Sequence, residues 1–514
     1  MIASYPEVMA ESIDTRFVET VADMATGTRV DDSDPIRDGS RLTVRRCAEL
    51  FDAQLGSRHL DLAARKLRAD GAGFYTIGSS GHEGNAAVAG ALRPTDPALL
   101  HYRSGAFFLE RARQVGGSDP LRDVLLGIVA SSDEPIAGGR HKVFGRHDLA
   151  VIPQTSTVAS HLPRAMGVAF ATHRAAKLGV QGAWPRDAVT VCSFGDASAN
   201  HSTALGAVNA AIYAAYQDLP MPLLFVCEDN GIGISVPTPK DWIATCFAHR
   251  DQLAYFGADG CDLAAAFDAA TEAATWVRDH RRPALLHLRT VRLMGHAGSD
   301  LEAAYRTPAA VAADERRDPL VGTARLLIEA GRYTPGEVLD LYEHKRADVA
   351  AAAADAIRRP KLEHAAAIMA PLHRIDAAAV SAHATFGNAL PDDGVLTLAQ
   401  SINRALLDIL AQYPGALVFG EDVARKGGVY GLTRGLLKAA GSARVFDTLL
   451  DEQSILGIAL GAGLSGLLPI PEIQYLAYLH NAADQIRGEA ATLAFFADGR
   501  YRNPMVVRVA GYGY

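Results

Sequence analysis

Apolar residues in this chain gather into short unbroken runs set between longer Ala-rich or mixed stretches. Val189-Thr190-Val191-Cys192-Ser193-Phe194 and Pro222-Leu223-Leu224-Phe225-Val226-Cys227 are two such runs. Rich in β-branched and aromatic residues and bounded by turn formers, they predict buried strands. The Ala-rich segment between them, residues 203–215, predicts a helix. Strand, helix and strand in that order imply a right-handed crossover between parallel strands. The turns that follow the strands are Gly195-Asp196-Ala197-Ser198 and Glu228-Asp229-Asn230-Gly231-Ile232. They then share one carboxyl edge, where open α/β sheets bind ligands.

The same alternation runs from about residue 41 to 300 and marks an α/β protein. Residues 1–40 are polar and acidic and read as a mobile arm. Charged and Ala-rich helices fill 310–372, and the mixed Ala/Gly/Pro/Asp stretch 373–394 reads as a linker. A second α/β unit opens with a helical pattern from Leu396 and the strand Ala416-Leu417-Val418-Phe419, which runs into Gly420-Glu421-Asp422. Residues 454–473 are nearly free of charge, but Gly461, Gly463, Gly466, Pro469 and Pro471 interrupt them. They predict a buried Gly-rich helix running into a core strand, not a membrane span. A last strand, 504–509, lies so close to Tyr514 that the second unit lacks elements to close it, which suggests a fragment.

Composition narrows the partners. Hydrophobic residues make up 49% of the 514, ample for large cores, and a net charge of −8 argues against nucleic acid and gives no membrane-surface signal. The N-terminus has no basic segment leading into an apolar one, so it does not read as a secretory signal. Cys47, Cys192, Cys227, Cys246 and Cys261 form no CxxC pair and read as reduced residues of a cytoplasmic protein.

At the shared edge, Asp196 and Asn230 offer the hard oxygen donors that hold magnesium together with a ligand's phosphates. The following helix offers its N-terminal amides to the same phosphates. Two strands that simply end in polar turns fit the spacing equally well, and both readings stand at this point.

Ordered motifs across most of the chain carry a resemblance. GFYTIGSSGHEG (73–84), HYRSG (101–105), GDASAN (195–200), EDNGIGIS (228–235) and GHAGSD (295–300) resemble the α-type subunit of thiamine-diphosphate-dependent 2-oxo acid dehydrogenases. GEDVARKGGVYGLTRGL (420–436), FDTLLDEQSILG (446–457), PEIQYLAYLHNAADQI (471–486) and PMVVR (504–508) resemble the N-terminal half of the β-type subunit. A fused α–β form is implied: an α-like diphosphate-binding domain over 41–372 with C-terminal helices, and a truncated β-like pyrimidine-binding domain over 395–514. The implied fold is two thiamine-diphosphate-binding α/β units with mainly parallel sheets flanked by helices, the second incomplete.

Roles follow position by position from that resemblance. Asp196, Asn230 and the backbone carbonyl of Ile232 match the ligands of a Mg2+ ion that holds the diphosphate of thiamine diphosphate. Tyr102 and Arg103 match the pair that contacts the diphosphate, for which a guanidinium fork is suited. Ala197 and Ser198 lie in the same turn, and Ser156 matches a loop residue beside the cofactor. His296 matches the active-site histidine near the thiazolium ring and the substrate. Glu452 matches the glutamate that shares a proton with the aminopyrimidine ring, and an apolar cleft would raise its pKa. Leu450, Gln474 and Tyr478 match the pocket around that ring.

Several positions depart from the pattern. Ala197 stands where glycine is usual, so its methyl group either crowds the diphosphate or is absorbed. Glu228 is more typical of pyruvate enzymes than of branched-chain ones. His82 and His101 replace glutamines, Ala477 a frequent aspartate, and Ala297 a serine phosphorylated in mitochondrial members. The expected activity is oxidative decarboxylation of a 2-oxo acid, branched-chain in type, with the acyl group passed to a lipoyl-bearing acyltransferase by a homo-oligomer. A pyruvate or acetoin dehydrogenase, a transketolase-like carboligase and a non-catalytic scaffold are the alternatives.

Overall fold

Six parallel strands form the first sheet: β1 (Ala98–Leu99), β2 (Val151–Ile152), β3 (Thr190–Gly195), β4 (Leu223–Asp229), β5 (Ala254–Asp259) and β6 (Ala284–Arg289). Their spatial order is β2-β1-β3-β4-β6-β5. The computed structural model describes residues 5–74, 77–155, 157–298, 300–373, 376–384 and 394–511. β3 is buried at every residue and β4 at all but its last, because helices cover both faces of a parallel sheet. Gly195 pairs with Glu228 in the register, so the two turns named above leave the sheet side by side.

The N-terminal segment corrects an expectation. Instead of a mobile arm, α1 (Tyr5–Ala22) is a docked helix. Ile13, Phe17 and Val21 recur at every fourth residue and are buried. Asp14 accepts hydrogen bonds from the Tyr342 hydroxyl and from Arg346, both at 2.6 Å. The average polarity of the segment hid this narrow apolar stripe.

Helices α2 (His161–Lys177) and α3 (Ser202–Tyr216) pack on the first sheet. The second sheet holds β7 (Ala416–Gly420), β8 (Val445–Asp447), β9 (Leu468–Ile473) and β10 (Arg508–Val509), all parallel, in the order β8-β7-β9-β10. Of the strand expected over 504–509, Arg508 and Val509 pair in register with β9, and the Val506 N–H donates to the Pro469 carbonyl at 3.0 Å. The Gly-rich segment forms α4 (Glu452–Leu464), buried from Ser454 onward, and leads into β9. Within the stretch 373–394 expected as a linker, Ala377–Ala384 is helical, and residues 374–375 and 385–393 lie outside the described residues.

The two units meet where α4 crosses α2 backbone to backbone. A Cβ on Gly457 would lie 2.2 Å from that of Pro163, and one on Gly461 would lie 2.1 Å from the carbonyl carbon of Gly167. Only hydrogen fits at these positions. One apolar core then runs from Phe194 and Phe225 through Met166 to Leu456 and Phe419. Among the described residues, no helix is long and apolar enough to cross a membrane.

Candidate functional site

Asp196 leaves β3 with its side chain buried. Its carboxylate accepts from the Thr238 hydroxyl and from the backbone N–H of Asn230, and burial pushes its pKa up. Asn230 Oδ1 accepts from the Ile232 N–H at 3.1 Å, while its Nδ2 lies 2.9 Å from His82 Nε2. The structure thus brings Asp196, Asn230 and Ile232 together at one edge. Ile232 opens a short antiparallel pairing of Ile232–Gly233 with Val236–Pro237.

Ala197 adopts ordinary helical angles, φ −64° and ψ −36°, so the turn does not require glycine there. A Cβ on Gly233 would lie 2.6 Å from the Ala197 methyl carbon. Glycine at 233 therefore makes the room that alanine at 197 takes up. Ser198 is buried in the tight turn that follows.

A second group forms from residues far apart in sequence. Arg103 is 3% exposed and donates to the Gly78 carbonyl at 2.5 Å and to His296 Nδ1 at 3.2 Å. Its guanidinium carbon lies 5.4 Å from the centre of the Tyr102 ring, whose edge contact with His296 spans 6.4 Å. Burial, followed by the Arg103 and Arg292 charges, lowers the His296 pKa to about 4, so the ring is neutral near pH 7. A guanidinium only donates, so Nδ1 is the acceptor and the imidazole proton sits on Nε2.

The third group belongs to the second unit. Glu452 is the first residue of α4, and its Oε2 accepts from Asn481 at 3.4 Å. Next to it, Gln453 accepts from the Thr203 hydroxyl at the start of α3, and a Cβ on Gly206 would lie 2.5 Å from Asp451 Oδ2. The helix that carries Glu452 thus begins against the helix that follows the Asp196 turn. Gln474 donates to Asp422 Oδ2 at 3.3 Å, Tyr478 meets Tyr475 edge-on at 5.6 Å, and Leu450 is 84% exposed. Ser156 lies outside the described residues. Its neighbours Thr155 and Ser160 both donate to the buried Glu489 carboxylate, at 2.6 and 2.5 Å.

Sequence reasoning missed Glu421, which directly follows β7 and feels the charge of Glu452. Burial, then the charges of Glu452, Asp422 and Asp451, push its pKa up to about 7. An acidic pair at a sheet edge was the available signal. Thr238 was missed as well, and a lone threonine in a loop carries no signal.

Residues 52–365, well over half of the 514, match the family described as Dehydrogenase E1 component. The chain belongs to this family. Residues 395–514 match the pyrimidine binding domain of transketolase. Both kinds of domain bind thiamine diphosphate, typically with Mg2+, and this family member joins them in one chain. The 3-methyl-2-oxobutanoate dehydrogenase subunit beta of Mycobacterium tuberculosis is 44% identical over 118 residues, 23% of this chain and 34% of that protein. The pyruvate dehydrogenase E1 component subunit beta of Bacillus subtilis is 42% identical over 113 residues, 22% of this chain and 35% of that protein. The 2-oxoisovalerate dehydrogenase subunit beta of Pseudomonas aeruginosa is 40% identical over 114 residues, 22% and 33% of the two chains. The chain spans about a third of the length of these curated relatives.

Proposed function

We propose that the protein takes part in thiamine-diphosphate-dependent oxidative decarboxylation of a branched-chain 2-oxo acid of the 2-oxoisovalerate type, as a homo-oligomer, passing the acyl group to the lipoyl arm of a partner acyltransferase. The observation that carries this reading is the meeting of three groups in one chain: the Asp196–Asn230 pair, the Arg103–His296 pair, and the Glu452 helix packed against α3.

The residues fit the cofactor. A carboxylate, an amide oxygen and the Ile232 carbonyl make an all-oxygen set suited to Mg2+. Arg103 and Tyr102 would hold the diphosphate, with Ala197 and Ser198 in the turn beside it. Leu450, Gln474 and Tyr478 would surround the aminopyrimidine ring. When bound, thiamine diphosphate supplies the electron sink that allows carbon dioxide to leave. Glu452 would turn its carboxylate to that ring for proton exchange, and Glu421, with a pKa of about 7, keeps a second carboxyl able to carry a proton. His296, neutral and protonated on Nε2, is set to donate a hydrogen bond to a substrate oxygen while Arg103 fixes its orientation.

Two of the relatives above carry branched-chain names, and one carries the pyruvate name. Glu228, the residue that favoured pyruvate, is fully buried and bonded to His82, Asn85 and Ser104. Its identity therefore bears on the support of the site and not on the substrate. A dye-linked decarboxylation assay over pyruvate, 2-oxoisovalerate and 2-oxoglutarate tests the reading. The highest kcat/KM is expected with 2-oxoisovalerate, and a preference for pyruvate overturns the substrate class. Asp196→Ala is expected to lose calorimetric binding of thiamine diphosphate with Mg2+. Glu452→Gln should bind and not turn over.

A further inference from the structure

Beneath the Asp196–Asn230 edge lies a buried polar cluster that the reading so far leaves unused. His82, His101 and Glu228 place ligand-type atoms within 4.8 Å of one another. Both ring nitrogens of His82 are engaged, Nδ1 with Glu228 Oε2 at 2.8 Å and Nε2 with Asn230 Nδ2 at 2.9 Å. Glu228 also accepts from Asn85 and from Ser104, each at 3.2 Å. A cation would have to displace these bonds, so the cluster is a support and not a second metal centre.

The direction of every bond in it can be derived. The Phe107 N–H donates to Asn85 Oδ1 at 2.8 Å, which fixes that amide with its NH2 toward Glu228. The Ile232 N–H donates to Asn230 Oδ1, which fixes the second amide with its NH2 toward His82. An NH2 group only donates, so His82 Nε2 must be a bare acceptor and the ring proton must sit on Nδ1. Glu228, surrounded by donors, accepts that proton's hydrogen bond.

We propose that His82 is a positioning residue for the cation site: Glu228 holds its proton on Nδ1, and its Nε2 holds the Asn230 amide so that Oδ1 keeps a lone pair turned to the metal. The proposal rests on Asn230 being a Mg2+ ligand. Outer-shell partners of this kind typically change metal affinity about 10–100-fold when removed.

Two substitutions separate positioning from packing. In His82→Asn the side-chain NH2 can replace Nδ1–H toward Glu228, but nothing reaches Asn230. In His82→Gln the amide spans both positions, with its oxygen toward Asn230 and its NH2 toward Glu228. Mg2+ is titrated calorimetrically into each variant at saturating thiamine diphosphate, and Tm is measured without metal or cofactor. His82→Asn is expected to raise the Mg2+ Kd about tenfold or more, with a metal-free Tm close to that of His82→Gln. His82→Gln is expected to restore the wild-type Kd.

Equal Mg2+ affinity in both variants overturns the relay. If that result comes with loss of binding in Asp196→Ala, the cation site itself stands; if Asp196→Ala also binds normally, the site reading fails. Nitrogen NMR of the wild-type protein, with the His82 signal assigned by its disappearance in His82→Gln, supplies a test that does not depend on how His82→Asn folds. A proton on Nδ1 is expected, and a proton on Nε2 overturns the proposal.

Discussion

Ala197 and Gly233 share a space that holds one methyl group. With their Cβ positions 2.6 Å apart, Gly233→Ala is expected to overpack the Asp196 turn and cost about 1–3 kcal/mol. Adding Ala197→Gly to that variant should return most of the loss in a thermal unfolding series, and independent effects would refute the shared space. Glu421 gives a pH signature. Folding raises its pKa from 4.5 to about 7, so the stability it contributes is complete below pH 4.5 and is lost as pH rises through 7. Glu421→Gln is therefore expected to raise Tm more at pH 8 than at pH 5, measured against wild type; the reverse order would contradict the assignment. At this scale the types of residue were legible and their contacts were not. HYRSG and GHAGSD pointed to Arg103 and His296 separately, but the bond between them depends on strands β1 and β6 being set with two strands between them in the sheet.

Elements were legible wherever one period dominated. β3, β4 and α3 stand within a few residues of their sequence boundaries, because unbroken apolar runs and an Ala-rich helix leave little choice. The segment over 454–473 was also legible as helix followed by strand, although its pattern could not say which helix it would meet. α1 was missed because, among its residues with described burial, three apolar side chains, Ile13, Phe17 and Val21, carry the contact. The turn Gln485–Ala490, helical with a wide register, had no signal at all, yet its Glu489 is paired with Arg164 of α2 at 3.1 Å, both fully buried. Glu489→Ala would leave a buried guanidinium without its partner and free Thr155 and Ser160. A loss of about 3–5 kcal/mol is expected in denaturant unfolding, with faster proteolysis around Thr155 and Ser160. A loss under about 1 kcal/mol, the range of exposed pairs, would show that the clamp is not formed.

At the scale of the molecule, the α-like and β-like units pack within one chain, with Gln453 bonded to Thr203. Mixing Asp196→Ala with Glu452→Gln is expected to yield no active enzyme in the decarboxylation assay, since each chain would build only defective sites. Recovery of about a quarter of the activity, the share of sites built from two intact halves after free exchange between chains, would mean that the halves pair between copies. The contact that joins the units is made from absent side chains at Gly167, Gly457 and Gly461. Most interfaces drift by trading one side chain for another of similar bulk, but here every alternative residue adds atoms where none fit. Each of the three positions has an alphabet of one letter in this packing, so any substitution there has to push the two units apart.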